Sequence, residues 1–269
     1  MNPPPDIAAA IVEFYGHIDV YLLIVTRLAG FFIILPVISG TSVPMQIRTL
    51  FCAAAGLLVY STGAVSPVWY EPTVFGYAGV ILREFITGFL LGFAVYIIFT
   101  AILFAGQLID FQIGFSMVSI LSPMTQIQIP VTGNLLYFFY LALFVQTGGL
   151  NAFVYAICAS YAAIPAGGAH LLSNQGMTAM LIKLTADLLV IGLQIAMPIL
   201  GSLLIIDIAL GILVKAVPQM NVFVVGMPMK LLAGLVLLYL LVPSFADLYQ
   251  ALFDRSYDAL RGMEQTLGP

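Results

Sequence analysis

The 269-residue chain is 62% hydrophobic and only 7% charged, with a formal net charge of −4. Soluble domains carry about a quarter charged residues, so this composition excludes a water-exposed surface and predicts an integral membrane protein. It also argues against nucleic acid as a partner, because nucleic-acid binding requires a patch of Lys and Arg.

Six predominantly apolar segments follow one another along the chain. Each has roughly the 20 residues needed to cross a hydrocarbon core. Helices are predicted for all of them, because an open backbone in lipid leaves amide groups unpaired. The fold class is therefore all-α, a multi-pass membrane protein of about six long hydrophobic helices. Their approximate bounds are residues 18–38, 49–65, 85–109, 135–164, 188–217 and 222–241.

The connection at residues 110–133 differs from the others. It is rich in Gln, Ser, Thr, Met and Ile and contains Pro123 and Pro130. It is too polar to span a membrane and too apolar to lie freely in water, and loops of this length are often functional. Its large side chains predict a pore plug or lid. They are Phe111, Phe115, Met117, Ile120 and Leu121.

Several charged residues lie within or beside the apolar segments. A charge in hydrocarbon costs about 2.5–3.5 kcal/mol on insertion scales, so such residues mark protein interfaces or water-lined paths. Polar contacts with neighbouring subunits are predicted for a set of these positions. The set is Arg27, Arg83, Glu84, Asp110, Asp207, Lys215 and Lys230.

Two pairs within this set have a predictable geometry. Asp207 and Lys215 share one predicted helix but lie about 12 Å apart along its axis, so each needs another partner. Buried ion pairs between subunits are one interpretation, and an ion-coupled secondary transporter is the alternative. Arg83 and Glu84 are adjacent and do not face each other on a helix. They are expected to lie near a helix start and to pair outward.

The C-terminal part contains two further features. A polar string, Pro218-Gln219-Met220-Asn221, divides the last long apolar stretch. From Phe245 onward the apolar residues recur at helical spacing. An amphipathic helix is expected there, at the membrane interface or against a partner.

An intramembrane protease is a second alternative. The string Gly114-Phe115-Ser116-Met117 matches the short serine pattern of rhomboid proteases. Catalysis would require a His within hydrogen-bond reach of the Ser. Neither candidate is expected in mid-helix, since His17 stands at the start of the first predicted segment and His170 in a Gly- and Ala-rich connection. No catalytic residue, cofactor or metal ligand is predicted.

The residues from Leu210 to Lys230 resemble the signature of the FliR/SctT family of type III secretion export-gate proteins. The most specific part is the string Pro218-Gln219-Met220-Asn221-Val222-Phe223. The first predicted helix near Arg27 and the stretch from Glu84 to Ser116 are also similar to the family. The string Phe-Val-Val-Gly at residues 223–226 favours the flagellar branch over the injectisome branch.

The resemblance implies a non-enzymatic subunit of a gate in the bacterial inner membrane, at the flagellar basal body. Its partners would be FliP-like and FliQ-like gate subunits, an FlhB-like switch protein, an FlhA-like export protein and membrane lipid. Unfolded flagellar subunits would pass through the gate.

The resemblance also divides the chain. Residues 1–186 would form a FliP-like part that includes the central plug loop at 110–133. Residues 187–253 would form a FliQ-like helix hairpin, and 254–269 an amphipathic tail. A cytoplasmic loop that contacts partners would contain Pro218, Gln219, Met220, Asn221 and Pro228. Met117 stands where the family commonly has an aromatic residue.

Overall fold

The structure, a computed structural model, describes residues 7–40, 43–63, 65, 73–115, 130–169, 175–217 and 222–268. Within these ranges the regular structure is entirely helical, which confirms the all-α prediction. One short 3₁₀ turn, Val242–Ser244, joins the last two helices. The helices are α1 Ile7–Ile34, α2 Pro36–Ser39, α3 Met45–Ser61, α4 Val74–Ile113, α5 Val131–Gln146, α6 Gly149–Ala163, α7 Gln175–Ala216, α8 Val222–Leu241 and α9 Phe245–Leu267.

The expected number of membrane spans is not confirmed. Among the described residues, three helical stretches are long and apolar enough to cross a membrane, or four if α5 and α6 count as one bent span. The three are Val74–Ile113, Gly176–Ala216 and Val224–Leu267. Two helices are longer than the predicted apolar segments, since α4 begins at Val74 and α7 at Gln175. The predicted segment 135–164 is instead two helices, interrupted where Gly148 adopts a φ of 76°.

Three predicted boundaries also differ from the structure. Helix α4 continues to Ile113 and α5 begins at Val131, so the central connection is shorter than residues 110–133. The cytoplasmic loop expected to contain Pro228 is shorter too, because α8 begins at Val222 and contains Pro228. The tail predicted at residues 254–269 is the second half of α9. This helix begins nine residues before that boundary, at Phe245, where the helical spacing of apolar residues also begins, and it has an acidic residue in its first turn.

The chain divides into two compact units. Unit 1 comprises Met1–Tyr96, Gly148–Leu184 and Ser256–Pro269, and unit 2 comprises Ile97–Thr147 and Thr185–Arg255. This division follows contacts within the chain. The division into FliP-like and FliQ-like parts concerns likeness to other subunits and stays a prediction.

In unit 1, small residues bring α1 and α4 into direct backbone contact. A Cβ atom built on Gly88 would lie 1.9 Å from the carbonyl oxygen of Arg27, and one on Gly30 would lie 2.3 Å from that of Phe85. Gly92 approaches the carbonyl oxygen of Phe31 in the same way. The spacing of Gly88 and Gly92 predicts such close helix packing, and the structure confirms it.

In unit 2, aromatic side chains join α4, α5 and α9. The ring of Phe99 meets the buried rings of Tyr140 and Phe144 edge to face, and Tyr249 of α9 packs against Tyr140. Such pairs add about 0.5–1.5 kcal/mol each beyond the area they bury.

The apolar side of α9 is buried within this chain. The expectation that it covers a membrane interface or a partner is therefore wrong for this side of the helix. Its buried positions recur at helical spacing. They are Phe245, Tyr249 and Leu252 in unit 2, and Ser256, Leu260, Met263 and Leu267 in unit 1.

Helix α4 contains a matched pair of glycines that tests the α1–α4 contact. We expect Gly88→Ala to destabilise the protein by about 1–3 kcal/mol, because the added methyl group overlaps backbone. Gly79→Ala is the control, since nothing lies within 4 Å of its Cβ position. It should be neutral or stabilising by up to about 1 kcal/mol. Unfolding of the purified variants by denaturing detergent measures both. Equal effects of the two substitutions would contradict the contact.

Candidate functional site at the end of helix α4

Helix α4 ends at a glycine that allows the chain to leave the helix. Gly114 has a φ of 100°, a conformation in the positive-φ range that side chains disfavour. The backbone N–H groups of Gly114 and Phe115 both donate to the carbonyl oxygen of Asp110, at 3.1 and 3.0 Å. This is the hydrogen-bond pattern of a glycine helix stop. We refer to residues 110–115 as the α4 terminus.

The side chain of Asp110 caps the start of α5. The N-cap residue of that helix, Pro130, provides no side-chain hydrogen bond. Instead, both carboxylate oxygens of Asp110 accept from the backbone N–H of Thr132, at 3.1 and 3.2 Å. A carboxylate is stabilised at a helix N-terminus by the free N–H groups and by the helix dipole. Because Asp110 is buried, this contact joins the two ends of the central connection firmly.

A glycine contact lies one turn before the cap. A Cβ atom on Gly106 would lie 2.0 Å from the Cα atom of Gly133, so the backbones of α4 and α5 touch there. Together, the glycine contact and the Asp110 cap hold α4 and α5 at a fixed crossing on either side of the central connection.

Two further residues of the α4 terminus contact the α7–α8 hairpin. The side-chain amide of Gln112 donates to Asp207 Oδ2 at 2.9 Å. The other oxygen of Asp207 forms an ion pair with Lys230 Nζ at 2.6 Å. Ile113 is buried, and its side chain fills the space beside Gly234 of α8, where a Cβ atom would lie 2.5 Å from Ile113 Cδ1.

The α4 terminus is thus a junction of four helices. Asp110 is fixed to α5, Gln112 to α7 and Ile113 to α8. Phe111 stands between these anchors with 74% of its surface exposed, and Phe115 is half-buried. The arrangement has the chemistry of a mechanical anchor, because its charged groups are engaged in a helix cap and an ion pair.

A second buried polar cluster lies in unit 1. The guanidinium of Arg27 donates to both carboxylate oxygens of Glu84, from Nε at 2.7 Å and from Nη2 at 3.1 Å. Both side chains are fully buried. Arg27 also donates to Ser160 Oγ and to the carbonyl oxygen of Ile164, both at 3.1 Å. The backbone N–H of Gly167 donates to Glu84 at 2.7 Å.

An aromatic ring completes this cluster. The guanidinium carbon of Arg27 lies 3.7 Å from the centre of the Tyr161 ring, within the range of a cation–π contact. The cluster therefore joins α1, α4, α6 and the segment after α6. Two-point pairing between Arg and a carboxylate is strong and geometrically specific.

These contacts correct part of the predicted inter-subunit set. Arg27 and Glu84 pair with each other, and Asp110 caps α5 of its own chain. The expectation that Glu84 pairs outward near a helix start is wrong, because it lies buried in the interior of α4. Asp207 and Lys230 pair within the chain, although both keep some exposed surface. Arg83 and Lys215 are exposed, and their contacts with other subunits stay predictions.

Other predicted residues lie outside the described part of the chain. In the plug set these are Met117, Ile120 and Leu121. In the cytoplasmic loop they are Pro218, Gln219, Met220 and Asn221. Ser116 and His170 of the protease alternative also lie outside it. For the transporter alternative, the carboxylate of Asp207 is already held by Lys230 and Gln112.

Sequence reasoning missed several residues of these sites. Ser160, Tyr161 and the backbone of Gly167 gave no signal, because each looks ordinary within its own segment. A signal did exist for the α4–α5 crossing, where Gly106 and Gly133 stand on opposite sides of the central connection. Two glycines flanking a long loop in a membrane protein indicate a close helix contact.

Comparison with known proteins gives one family and consistent relatives. The family described as bacterial export proteins, family 1, matches residues 18–256. The flagellar biosynthetic protein FliR of Bacillus subtilis is 26% identical over 249 residues, which is 92% of this chain and 95% of that protein. FliR of Escherichia coli is 27% identical over 252 residues, with 92% and 94% covered. The Yop proteins translocation protein T of Yersinia pestis is 29% identical over 211 residues, with 78% and 80% covered.

The buried cluster in unit 1 gives a direct test of its pairing. We expect Arg27→Met to lower the unfolding free energy by about 3–5 kcal/mol, because it leaves the Glu84 carboxylate buried without its partner. Replacing both residues, Arg27→Met with Glu84→Met, should recover most of this loss. Arg83→Met, an exposed neighbour on α4, is the control and should change stability by less than about 0.5 kcal/mol. Denaturing-detergent titrations measure all three. A double variant no more stable than Arg27→Met would contradict the pairing.

Proposed function

The chain belongs to the family of bacterial export proteins, family 1, and we propose that it is a pore-forming subunit of the flagellar type III protein export gate. In this role it conducts unfolded flagellar subunits across the cytoplasmic membrane. It works at the basal body of the flagellum as a multi-pass component of the inner membrane. The observation that carries the proposal is the extent of the match, which includes nearly every described helix.

We further propose that the α4 terminus and the connection after it form the plug of the pore. Phe111 and Phe115 are the first two residues of the predicted plug set. Phe111 lies in the last turn of α4 and Phe115 lies just after the helix, and this helix end is fixed to three other helices. A ring of large apolar side chains can exclude water and ions, and it can yield to a passing polypeptide. A rigid base is useful for such a plug, because the apolar side chains must return to the same positions after each substrate.

The proposed partners are other subunits of the export apparatus. These are FliP-like and FliQ-like gate subunits, an FlhB-like switch protein and an FlhA-like export protein. Helices α7 and α8 carry many exposed large apolar side chains, among them Ile205 at 69% and Tyr239 at 76%. Neighbouring helices or lipid would cover these surfaces. Arg83 and Lys215 are the charged residues proposed to contact other subunits.

The proposed role is not enzymatic. The described charged residues of the two clusters form ion pairs and a helix cap, which are structural arrangements. The energy for export would therefore come from other components. The gate subunit would provide a path, a seal and surfaces for assembly.

An injectisome gate subunit is the second candidate. It is favoured by the similarity to the Yersinia translocation protein. The flagellar role is favoured by the wider match, since the flagellar relatives from Bacillus subtilis and Escherichia coli each cover 92% of this chain and the Yersinia protein covers 78%.

Replacing the plug side chains tests the proposal. We expect the triple variant Phe115→Gly, Met117→Gly and Ile120→Gly to raise ion leakage through the purified, assembled gate in a planar bilayer, because the apolar seal is lost. Phe75→Gly is the control, since Phe75 is an exposed aromatic residue near the start of α4, with 91% of its surface accessible. It should leave the conductance unchanged. A triple variant that remains sealed would contradict the plug.

A further inference from the structure

We propose that Asp207 and Gln112 are positioning residues for gate closure, and that the ion pair Asp207–Lys230 is the releasable contact that holds the α4 terminus in its closed position. This inference rests on the proposed function and adds to it the residues that control the plug. It concerns contacts within unit 2 only.

The geometry makes Asp207 the link between three helices. One carboxylate oxygen binds the ammonium group of Lys230 on α8, and the other accepts from the amide of Gln112 on α4. A displacement of α7 relative to α8 therefore changes the position of the carboxylate that Gln112 contacts. Gln112 follows Phe111 directly in the chain, so this contact orients the last turn of α4 and its exposed aromatic side chain.

The Arg27–Glu84 and Asp207–Lys230 ion pairs differ in burial, and this difference makes the second pair the easier one to separate. The side chains of Arg27 and Glu84 are 0% exposed, whereas those of Lys230 and Asp207 keep 22% and 35% of their surface accessible. Separating a fully buried pair leaves bare charges in a low dielectric. The second pair keeps accessible surface, so a charged group of a neighbouring subunit can approach it and replace either partner.

The other contacts of the α4 terminus are suited to remain in place. The Asp110 cap on α5 is buried and uses a backbone N–H group. The crossing of Gly106 and Gly133 has no space between the backbones. Breaking the Asp207 contacts would thus remove the polar contacts of the α4 terminus with α7 and α8, while the contacts with α5 and the apolar packing of Ile113 at Gly234 stay in place. The α4 terminus could then change its orientation about its contacts with α5, and the Asp207 contacts would restrain that change.

The identity of Gln112 supports the same interpretation. A carboxylate at this position would repel Asp207, and an apolar side chain would leave one carboxylate oxygen without this donor. An amide contacts the ion pair through a single hydrogen bond to a charged acceptor. Bonds of this kind are worth enough to shift a two-state equilibrium by roughly tenfold. The contact is therefore strong enough to favour closure and weak enough to be reversed by substrate or by a partner subunit.

The experiment measures ion conductance of the complete assembled gate in planar bilayers, together with recovery of its subunits and its melting temperature. Gln112→Met removes the hydrogen bond and keeps the length of the side chain. We expect it to raise the leak conductance about tenfold, with unchanged subunit recovery and melting. Asp207→Asn should act in the same direction, because it weakens the attraction to Lys230. Lys183→Gln, an exposed charge removal on α7, is the control and should have no effect.

A charge exchange separates positioning from general damage. Asp207→Lys alone should leak strongly, because it places two ammonium groups together. Combining it with Lys230→Asp restores an ion pair, and the amide of Gln112 can rotate to present its oxygen to the new ammonium group. We expect this double variant to return most of the way to the wild-type conductance, which supports the proposal.

Three results would overturn it. The first is a Gln112→Met gate as tight as the wild type while the Phe115, Met117 and Ile120 glycine variant leaks. In that case the proposed function stands and the positioning role is wrong. The second is a leak that appears only with loss of subunits or a lower melting temperature, which marks a purely structural contact. The third is that neither variant leaks, in which case the plug and the inference both fail.

Discussion

The pairing of Arg27 with Glu84 is the constraint on which the arrangement of unit 1 depends. A charged side chain in so apolar a chain is tolerated only when it is paired and hydrogen-bonded. Here the guanidinium and carboxylate satisfy each other at two points, and the remaining bonds go to α6 and to the segment after it. The glycine contacts between α1 and α4 bring the two charges within reach. The backbone contact brings the two charges together, and their pairing removes the cost of burying either charge alone.

Unit 2 applies the same chemistry at lower burial and for a different purpose. Its polar contacts concentrate at one helix end, where Asp110 caps α5 and Gln112 reaches the ion pair of Asp207 and Lys230. The first contact is buried and the second is partly exposed. This difference in burial suits the proposed gate, in which the plug would keep its base while its apolar tip yields to a substrate. It also gives the charges inside these helices a structural role.

Local patterns in the sequence predicted the all-α membrane fold, the family and the close packing at Gly88 and Gly92. They did not predict the partners of the charged residues. Arg27 and Glu84 are far apart in the chain, and a single sequence does not show which helices are neighbours. Contacts between subunits were expected for them because an unpaired charge in hydrocarbon is costly. This expectation was wrong because another helix of the same chain supplies the partner. Helix ends were missed because hydropathy indicates which residues can lie in lipid and does not indicate where a helix stops. Helix α4 ends at Gly114, whose positive φ lets the chain leave the helix.

In the proposed gate, exported polypeptides pass the end of α4. Site-specific photo-crosslinking from position 115 in the assembled gate, with an export substrate stalled by a folded domain fused to it, tests this claim most directly. The account predicts crosslinks between position 115 and the stalled substrate, and none from position 75 at the exposed start of the same helix. Crosslinks from position 115 to lipid or to other subunits alone, while the stalled substrate occupies the gate, would contradict it.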